Sequence, residues 1–361
     1  MVFSNTFTIA DDIQLYYTDS GAPPNFPEYT TLLVLHGYGF GGAGFEAMQS
    51  HCHDYNLRVV VVNRRDYRGS TPFTDSELEE VRQGNPIFLE RLAVHLVMFL
   101  KQFIEKENIP VITDNRKGGG LAIMGWSLGA LTAIAPFSNP DLYDEETRVI
   151  LERYVKGLIL YDPAYAALGC SIPPKVDPSK LYTLWTDPDA AQMSPEEAIQ
   201  KGLHWGSSYY QYTVTSEGVP TLESFEKTAS LCRTENSLAD SWTQNDAMRM
   251  LDPEGSHPLR ADTGLLAPQW QAITKDAAHR ALLNESLAQK FLPQLSVLFL
   301  YAPHSPWMAV LAHMETYRIY QEHVKRKEAI RLINFVKLTG ANHFMHVANP
   351  KLLLEVIAGN L

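Results

Sequence analysis

Six short, almost wholly apolar runs constrain this chain more than any other feature: TTLLVLHG, LRVVVVNRRD, LAIMGWS, VKGLILYD, SVLFLYAP and LINFVKLTG. A strand without a polar face has to be covered on both sides, and such strands belong to parallel sheets sandwiched between helices. The intervening stretches supply the helices. PIFLERLAVHLVMFLKQFIEKEN, from Pro86 to Asn108, has helical spacing of its apolar residues, GALTAIAPF opens another helix, a third runs from Pro306 to Lys327, and PKLLLEVIAGNL forms the last. Ser76 and Glu79 suggest a separate capped turn ahead of the first of these. Upstream, FTIA and IQLYYT read as a hairpin joined at Asp11-Asp12. The expected fold class is α/β: a mostly parallel twisted sheet with helices on both faces. His95, among Leu92, Val94, Leu96 and Phe99, reads as a packed or surface residue rather than a ligand.

The alternation breaks once. Residues 163–293 contain no convincing buried strand but several helix starts, among them Ser194-Pro-Glu-Glu197, with a cap, a proline at the first helical position and a returning glutamate. This stretch is expected to be a helical lid inserted after the sixth strand, counting the hairpin, with residues 1–162 and 294–361 forming the core domain. Its aromatic residues, Tyr182, Trp185, Trp205, Tyr209, Tyr210, Tyr212, Trp242 and Trp270, either fill the lid's own core or line an apolar pocket. Trp205 and Tyr209, four apart on one expected helix, are the preferred pocket residues, with Trp126 from the core beside them.

Composition removes several functional classes. The net charge of -11 argues against a nucleic-acid or anionic-membrane surface. No apolar run approaches the roughly 18 residues of a membrane span, and the N-terminus lacks a signal-peptide layout. Cys52, Cys170 and Cys232 fit neither a disulfide framework nor a zinc site, so each is expected to be a small buried hydrophobe in a reducing compartment.

The chemistry concentrates where strands end. Gly125-Trp126-Ser127-Leu128-Gly129 sets a serine between two glycines where strand pattern gives way to helix pattern. That is either a tight turn with a polar tip or a nucleophile facing the positive end of a helix. His36-Gly37-Tyr38-Gly39 follows an earlier strand, and Arg65-Asp66-Tyr67-Arg68-Gly69-Ser70 follows the next. Asp162 ends the fourth apolar run, whereas the fifth ends in Tyr301-Ala-Pro-His304-Ser305 with no carboxylate. Gly340-Ala341-Asn342-His343 follows the last strand, seven residues before Pro350. Histidine suits a base because it can accept and return a proton near neutral pH.

Together these motifs, spread from the first strand to the last helix, resemble the α/β-hydrolase superfamily. The resemblance implies Ser127 as nucleophile, His343 as base in preference to His346, and Asp162 as acid. It also implies an oxyanion hole from the backbone N–H groups of Tyr38 and Leu128. Asp66 and Arg68 would fix the loop beneath the site, with Ser70 standing where the family usually ends this motif in glycine. Haloalkane dehalogenases and epoxide hydrolases of this fold place aspartate at the elbow, so the serine points elsewhere. RRDYRGSTPF, MGWSLGAL and LILYDPAY are similar to fungal hydrolases of secondary-metabolite clusters, including toxin-biosynthesis proteins and acyl-CoA hydrolases.

The implied activity is hydrolysis of an ester, thioester or lactone of a largely apolar small molecule, without metal or organic cofactor. Acyl transfer, lyase or cyclase chemistry and a non-catalytic receptor use the same scaffold. The expected partner is a small-molecule substrate, with no nucleic acid and no membrane span; the long lid leaves room for a homodimer. Gly359-Asn360-Leu361 is not a Ser-Lys-Leu-like ending, so the cytoplasm is expected rather than the peroxisome.

Overall fold

Each expected apolar run forms a strand of one eight-stranded sheet. The computed structural model describes residues 2–10, 12–189 and 192–361; Asp11, at the expected hairpin turn, lies outside the described residues. The strands are β1 (Phe3–Ala10), β2 (Ile13–Asp19), β3 (Thr30–Leu35), β4 (Leu57–Val62), β5 (Leu121–Trp126), β6 (Val155–Tyr161), β7 (Ser296–Tyr301) and β8 (Ile333–Lys337). Their order is β1-β2-β4-β3-β5-β6-β7-β8. The hairpin strands pair antiparallel, and β3 to β8 are parallel. Every residue of β3, β4, β5 and β6 is buried, which is why these runs carry no polar alternation.

Two helical layers cover the sheet. On one face Phe88, Phe99 and Phe103 of the Ile87–Lys106 helix pack with Leu131 and Ile134 of the Gly129–Ser138 helix against Leu33, Ile123 and Leu158. On the other, Met48 and the Pro350–Asn360 helix, through Leu353, Leu354 and Ile357, close over Val34, Met124 and Ile159. The parallel register is nearly level: Leu35 pairs with Gly125, Trp126 with Tyr161, and Tyr161 with Leu300. The residues that follow, His36, Ser127, Asp162 and Ala302, therefore leave the sheet along one carboxyl edge, where ligands bind in open α/β sheets.

The insertion after β6 is helical, and its two parts pack differently. Val176, Leu181, Trp205, Tyr210 and Phe225 build a separate small core against Trp307, Val310 and Leu311. Trp270, Ala277, Ala281 and Leu282 of the later part instead join the main core beside the Gly129–Ser138 helix. The Ser194 cap forms as expected, with Glu197 completing the capping box of the Pro195–Ser207 helix.

Two local expectations are corrected. The helix before Pro86 is capped by Thr74 and Glu77, not by Ser76 and Glu79. Both pairs have the same spacing, but the Glu77 carboxylate is also gripped by Arg65, with Nη1 at 2.6 Å and Nη2 at 2.9 Å, and that tertiary contact selects the register. Cys52 and Cys170 are buried, whereas Cys232 is exposed, because the segment after the Leu222–Ala229 helix runs over the surface. His95 is half-buried, and its Nδ1 has no hydrogen-bond partner.

Candidate active site

Ser127 sits in the left-handed region, at φ 54°, immediately after β5. A non-glycine residue there costs energy and persists only where its surroundings dictate it. Its amide donates to Tyr161 O at 3.1 Å, and its carbonyl accepts from Ala130 N at 3.3 Å as the helix begins. The flanking glycines are steric necessities. A Cβ on Gly125 would lie 2.5 Å from Ala130 Cα, and one on Gly129 would lie 2.4 Å from the His36 carbonyl oxygen. The turn is so tight that the serine side chain is pushed clear of the sheet edge.

Asp162 leaves β6 in the same left-handed conformation, at φ 44°, with only 1% of its surface exposed. Its carboxylate collects three donors. Ala302 N reaches Oδ1 at 3.0 Å, while Ser305 Oγ and His343 Nδ1 both reach Oδ2 at 2.5 Å. A buried carboxylate takes the proton-bearing ring nitrogen, which leaves His343 Nε2 as the acceptor. The His343 loop is held twice more: Trp126 Nε1 donates to the His343 carbonyl at 2.9 Å, and Asn342 Nδ2 donates to Ser207 O at 2.5 Å. His346 is elsewhere. It is buried, stacked on Phe45 and bonded through Nδ1 to the Tyr161 hydroxyl at 3.2 Å, and it does not line the cavity described below.

The His36-Gly37-Tyr38-Gly39 loop passes directly over the serine, since a Cβ on Gly37 would stand 2.9 Å from Ser127 Cβ. Neither the Tyr38 nor the Leu128 amide donates to an acceptor among the described residues, so both are free for a ligand. Beneath this loop lies a buried polar network. His36 Nε2 accepts from Arg64 N at 3.0 Å, and its Nδ1 donates to Gly37 O at 3.0 Å. Burial, reinforced by the Arg64 charge, holds the His36 pKa well below the ordinary histidine value. Asp66 accepts from Phe73 N and Ala261 N, and Ser70 Oγ donates to Asn63 O at 2.6 Å, so both brace the loop. Arg68 acts through its backbone, its amide donating to Asp252 Oδ2 at 2.6 Å, while its side chain is exposed.

Ser127, Leu128, Tyr38 and His343 open into one cavity of about 320 Å³. Its other walls include Phe40, Leu184, Ile199, Leu203, Met248, Leu251, Met308 and Phe344, and no Asp, Glu, Lys or Arg among the described residues lines it. Trp126 and Trp205 line it, Trp126 being almost fully buried. Tyr209 does not. The Pro195–Ser207 helix ends before it, Ser208 is extended, and the Tyr209 ring turns toward His304 instead, with centroids 6.4 Å apart. The helical spacing that linked it to Trp205 does not exist. Trp185, half exposed, meets the Tyr38 ring at the cavity rim. Among the described residues no group of three His, Cys, Asp or Glu side chains is placed to hold a metal ion.

Sequence reasoning does not reach Ser305 and Arg64, which contact Asp162 and His36, or Asn342, which braces the His343 loop through Ser207 O. Their one-dimensional signal is weak, because Ser305 and Asn342 look like ordinary loop residues and Arg64 like a surface charge.

Four histidines withdrawn wholly or partly from solvent carry a pH prediction. Burial holds His36 and His346 well below 6.5 and pushes His95 and His313 down to about 4. Below 6.5 the unfolded chain therefore binds more protons than the folded one. Their contribution to stability is complete above that pH and is lost as pH falls through it toward 4. Melting temperature is expected to drop between about pH 6.5 and 5, above the range where ordinary carboxylates titrate. A flat melting temperature across that interval would show that these rings are not held neutral.

No helix among the described residues is long and apolar enough to cross a membrane. A search of curated proteins finds no sequence that matches the chain. Solved structures do match in fold. A mutant of an epoxide hydrolase from Solanum tuberosum superimposes with TM-score 0.52 at 12% identity, over 99% of this chain and 98% of that one. A Vigna radiata epoxide hydrolase mutant does so with TM-score 0.51 at 13% identity, again over 99% and 98%. At such identities the likeness concerns the fold alone. The family model described as "Alpha/beta hydrolase family" matches residues 32–356, from β3 to the last helix. With the parallel strands of the sheet, the serine elbow after β5 and the helical insertion after β6 falling in that span, the chain belongs to the alpha/beta hydrolase family.

Proposed function

We propose that this protein is a serine hydrolase that cleaves an ester, thioester or lactone bond of a largely apolar small molecule, with residues 163–293 as its cap. The observation that carries this reading is the three-donor carboxylate of Asp162 holding His343 in the wall of the cavity that Ser127 also lines. In this mechanism Ser127 Oγ attacks the carbonyl carbon while His343 Nε2 takes its proton. The oxyanion forms against the Tyr38 and Leu128 amides. The carbon–oxygen or carbon–sulfur bond to the leaving group then breaks, and His343 returns the proton to that group. Water, deprotonated by the same nitrogen, attacks the acyl-enzyme and frees Ser127. The uncharged walls favour an apolar acyl or alcohol portion.

The named neighbours are epoxide hydrolases, and serine chemistry argues against that activity here. A carboxylate opening an epoxide forms an ester, which water cleaves at the acyl carbon. A serine opening an epoxide would form an ether, which offers water no acyl carbon and would stop the enzyme after one turnover.

The test is intact-mass analysis after incubation with a fluorophosphonate, followed by peptide mapping. The Ser127 Oγ–P bond forms as the P–F bond breaks and fluoride leaves. A single adduct on Ser127, absent in His343→Ala, is the expected result. An unlabelled wild-type protein with an intact melting transition would defeat the reading.

A further inference from the structure

The peptide units on either side of Tyr38 are fixed by side chains, and those side chains converge on one carboxylate of the insertion. Gly37 C=O and Tyr38 N–H belong to one planar trans peptide, so they point in opposite directions. Gly37 O accepts from Arg64 Nη2 and from His36 Nδ1, each at 3.0 Å. With the oxygen drawn down into the protein, the Tyr38 N–H is directed the other way. The next peptide is held at its amide, as Gly39 N donates to the Tyr67 hydroxyl at 3.0 Å. A hydroxyl has one proton, so it accepts there only if its own proton goes elsewhere.

That proton goes to Asp262. Tyr67 Oη donates to Asp262 Oδ2 at 2.5 Å, and Arg64 forms a two-pronged pair with the same carboxylate, Nη1 to Oδ1 at 2.7 Å and Nη2 to Oδ2 at 2.5 Å. All three residues are buried, with Asp262 4% exposed. Burial and the Asp262 charge hold the Tyr67 hydroxyl protonated. Asp262 is thus the counter-ion that keeps a buried guanidinium in place and the acceptor that turns the tyrosine lone pairs toward Gly39. It belongs to the Ala261–Leu265 helix, late in the insertion, where the Tyr38 hydroxyl also reaches Ser256 O at 3.0 Å. A backbone bridge adds to the junction, with Gly41 N on Met250 O and Asp252 N on Gly39 O, both at 2.9 Å.

We propose that Asp262 is a positioning residue for the oxyanion hole, acting through Arg64 and Tyr67 to set the direction of the Tyr38 amide. This rests on the serine-hydrolase reading. It follows that residues 250–263 are a fixed wall of the site, since lifting them away would release the loop that binds the oxyanion.

The test uses the full chain and a fluorophosphonate whose P=O occupies the oxyanion position. Labelling of Ser127 is followed over time for wild type, Tyr67→Phe and Asp262→Asn, and kinact is separated from KI. Losing an oxyanion donor outright costs about 10²- to 10³-fold. Misdirecting one is expected to lower kinact about 10-fold in Tyr67→Phe and up to about 100-fold in Asp262→Asn, with KI within about 2-fold of wild type. Tyr67→Phe keeps the Arg64–Asp262 pair and so carries the test alone if Asp262→Asn does not fold. A merely structural role would lower the melting temperature and leave kinact of the folded protein unchanged, and that result would overturn the proposal. Failure of wild type to label at Ser127 would overturn the hydrolase reading instead, and this inference with it.

Discussion

Replacing Ser127 by alanine is expected to lower turnover of any ester substrate on the order of 10⁶-fold, the scale seen when a triad nucleophile is removed. The reason is local. Ser127 is the only hydroxyl at the elbow, held at φ 54° by the Tyr161 carbonyl and the following helix. Alanine accepts the same backbone conformation no better and no worse, so the melting temperature should not move. What remains is the cavity, the two free amides and an idle histidine, which bind substrate but form no acyl-enzyme. Single-turnover kinetics with p-nitrophenyl esters of graded chain length would measure this directly. Activity within about 100-fold of wild type would mean the reaction bypasses a covalent serine intermediate, and His343 acting as a simple base would become the better mechanism.

Asp162→Asn is expected to cost about 10⁴-fold in kcat with little change in KM, through the wrong histidine tautomer. The hydrogen-bond pattern shows why the amide cannot simply substitute. Oδ1 faces a backbone N–H, from Ala302, which cannot become an acceptor. Ser305 can rotate its proton away, and His343 can move its proton to Nε2. Asparagine therefore settles with its oxygen on Ala302 N and its NH₂ donating to Ser305 Oγ and His343 Nδ1. Every bond is satisfied, and Nε2 now carries a proton and cannot accept one from Ser127. The structure should survive while the chemistry fails, so the comparison is kcat against melting temperature. A variant within about 10-fold of wild type would show that another group, not Asp162, orients the histidine.

The position of Asp162 illustrates how far the chain could be read in one dimension. The fifth apolar run ends in Tyr301-Ala-Pro-His304-Ser305 and offers no carboxylate, while the fourth ends in Asp162. Because adjacent parallel strands end level, a residue one strand over still reaches the same edge, and the β7 loop supplies Ala302 and Ser305 as donors to it. The strand runs, the serine elbow and the Ser194 cap were legible for a related reason. Each is a contiguous pattern whose meaning depends on neighbours a few residues away: burial on both faces, a sharp turn, a returning glutamate.

Where the reading went astray, a distant contact had the last word. Ser76 and Glu79 have the same spacing as Thr74 and Glu77, and only Arg65 chose between them. Tyr209 lost its helical partnership with Trp205 because the chain turns out of the helix after Ser207. The sequence by itself determined the layered fold and the sheet edge on which Ser127, Asp162 and His343 gather, since apolar periodicity and strand ends are local properties. Tertiary structure alone decided which aromatic residues face the cavity and how the Tyr38 amide is aimed. Those outcomes rest on pairings such as Arg64 with Asp262, in which two buried charges and a tyrosine hydroxyl satisfy one another across nearly 200 positions of chain, and no local pattern encodes which surface the returning insertion will meet.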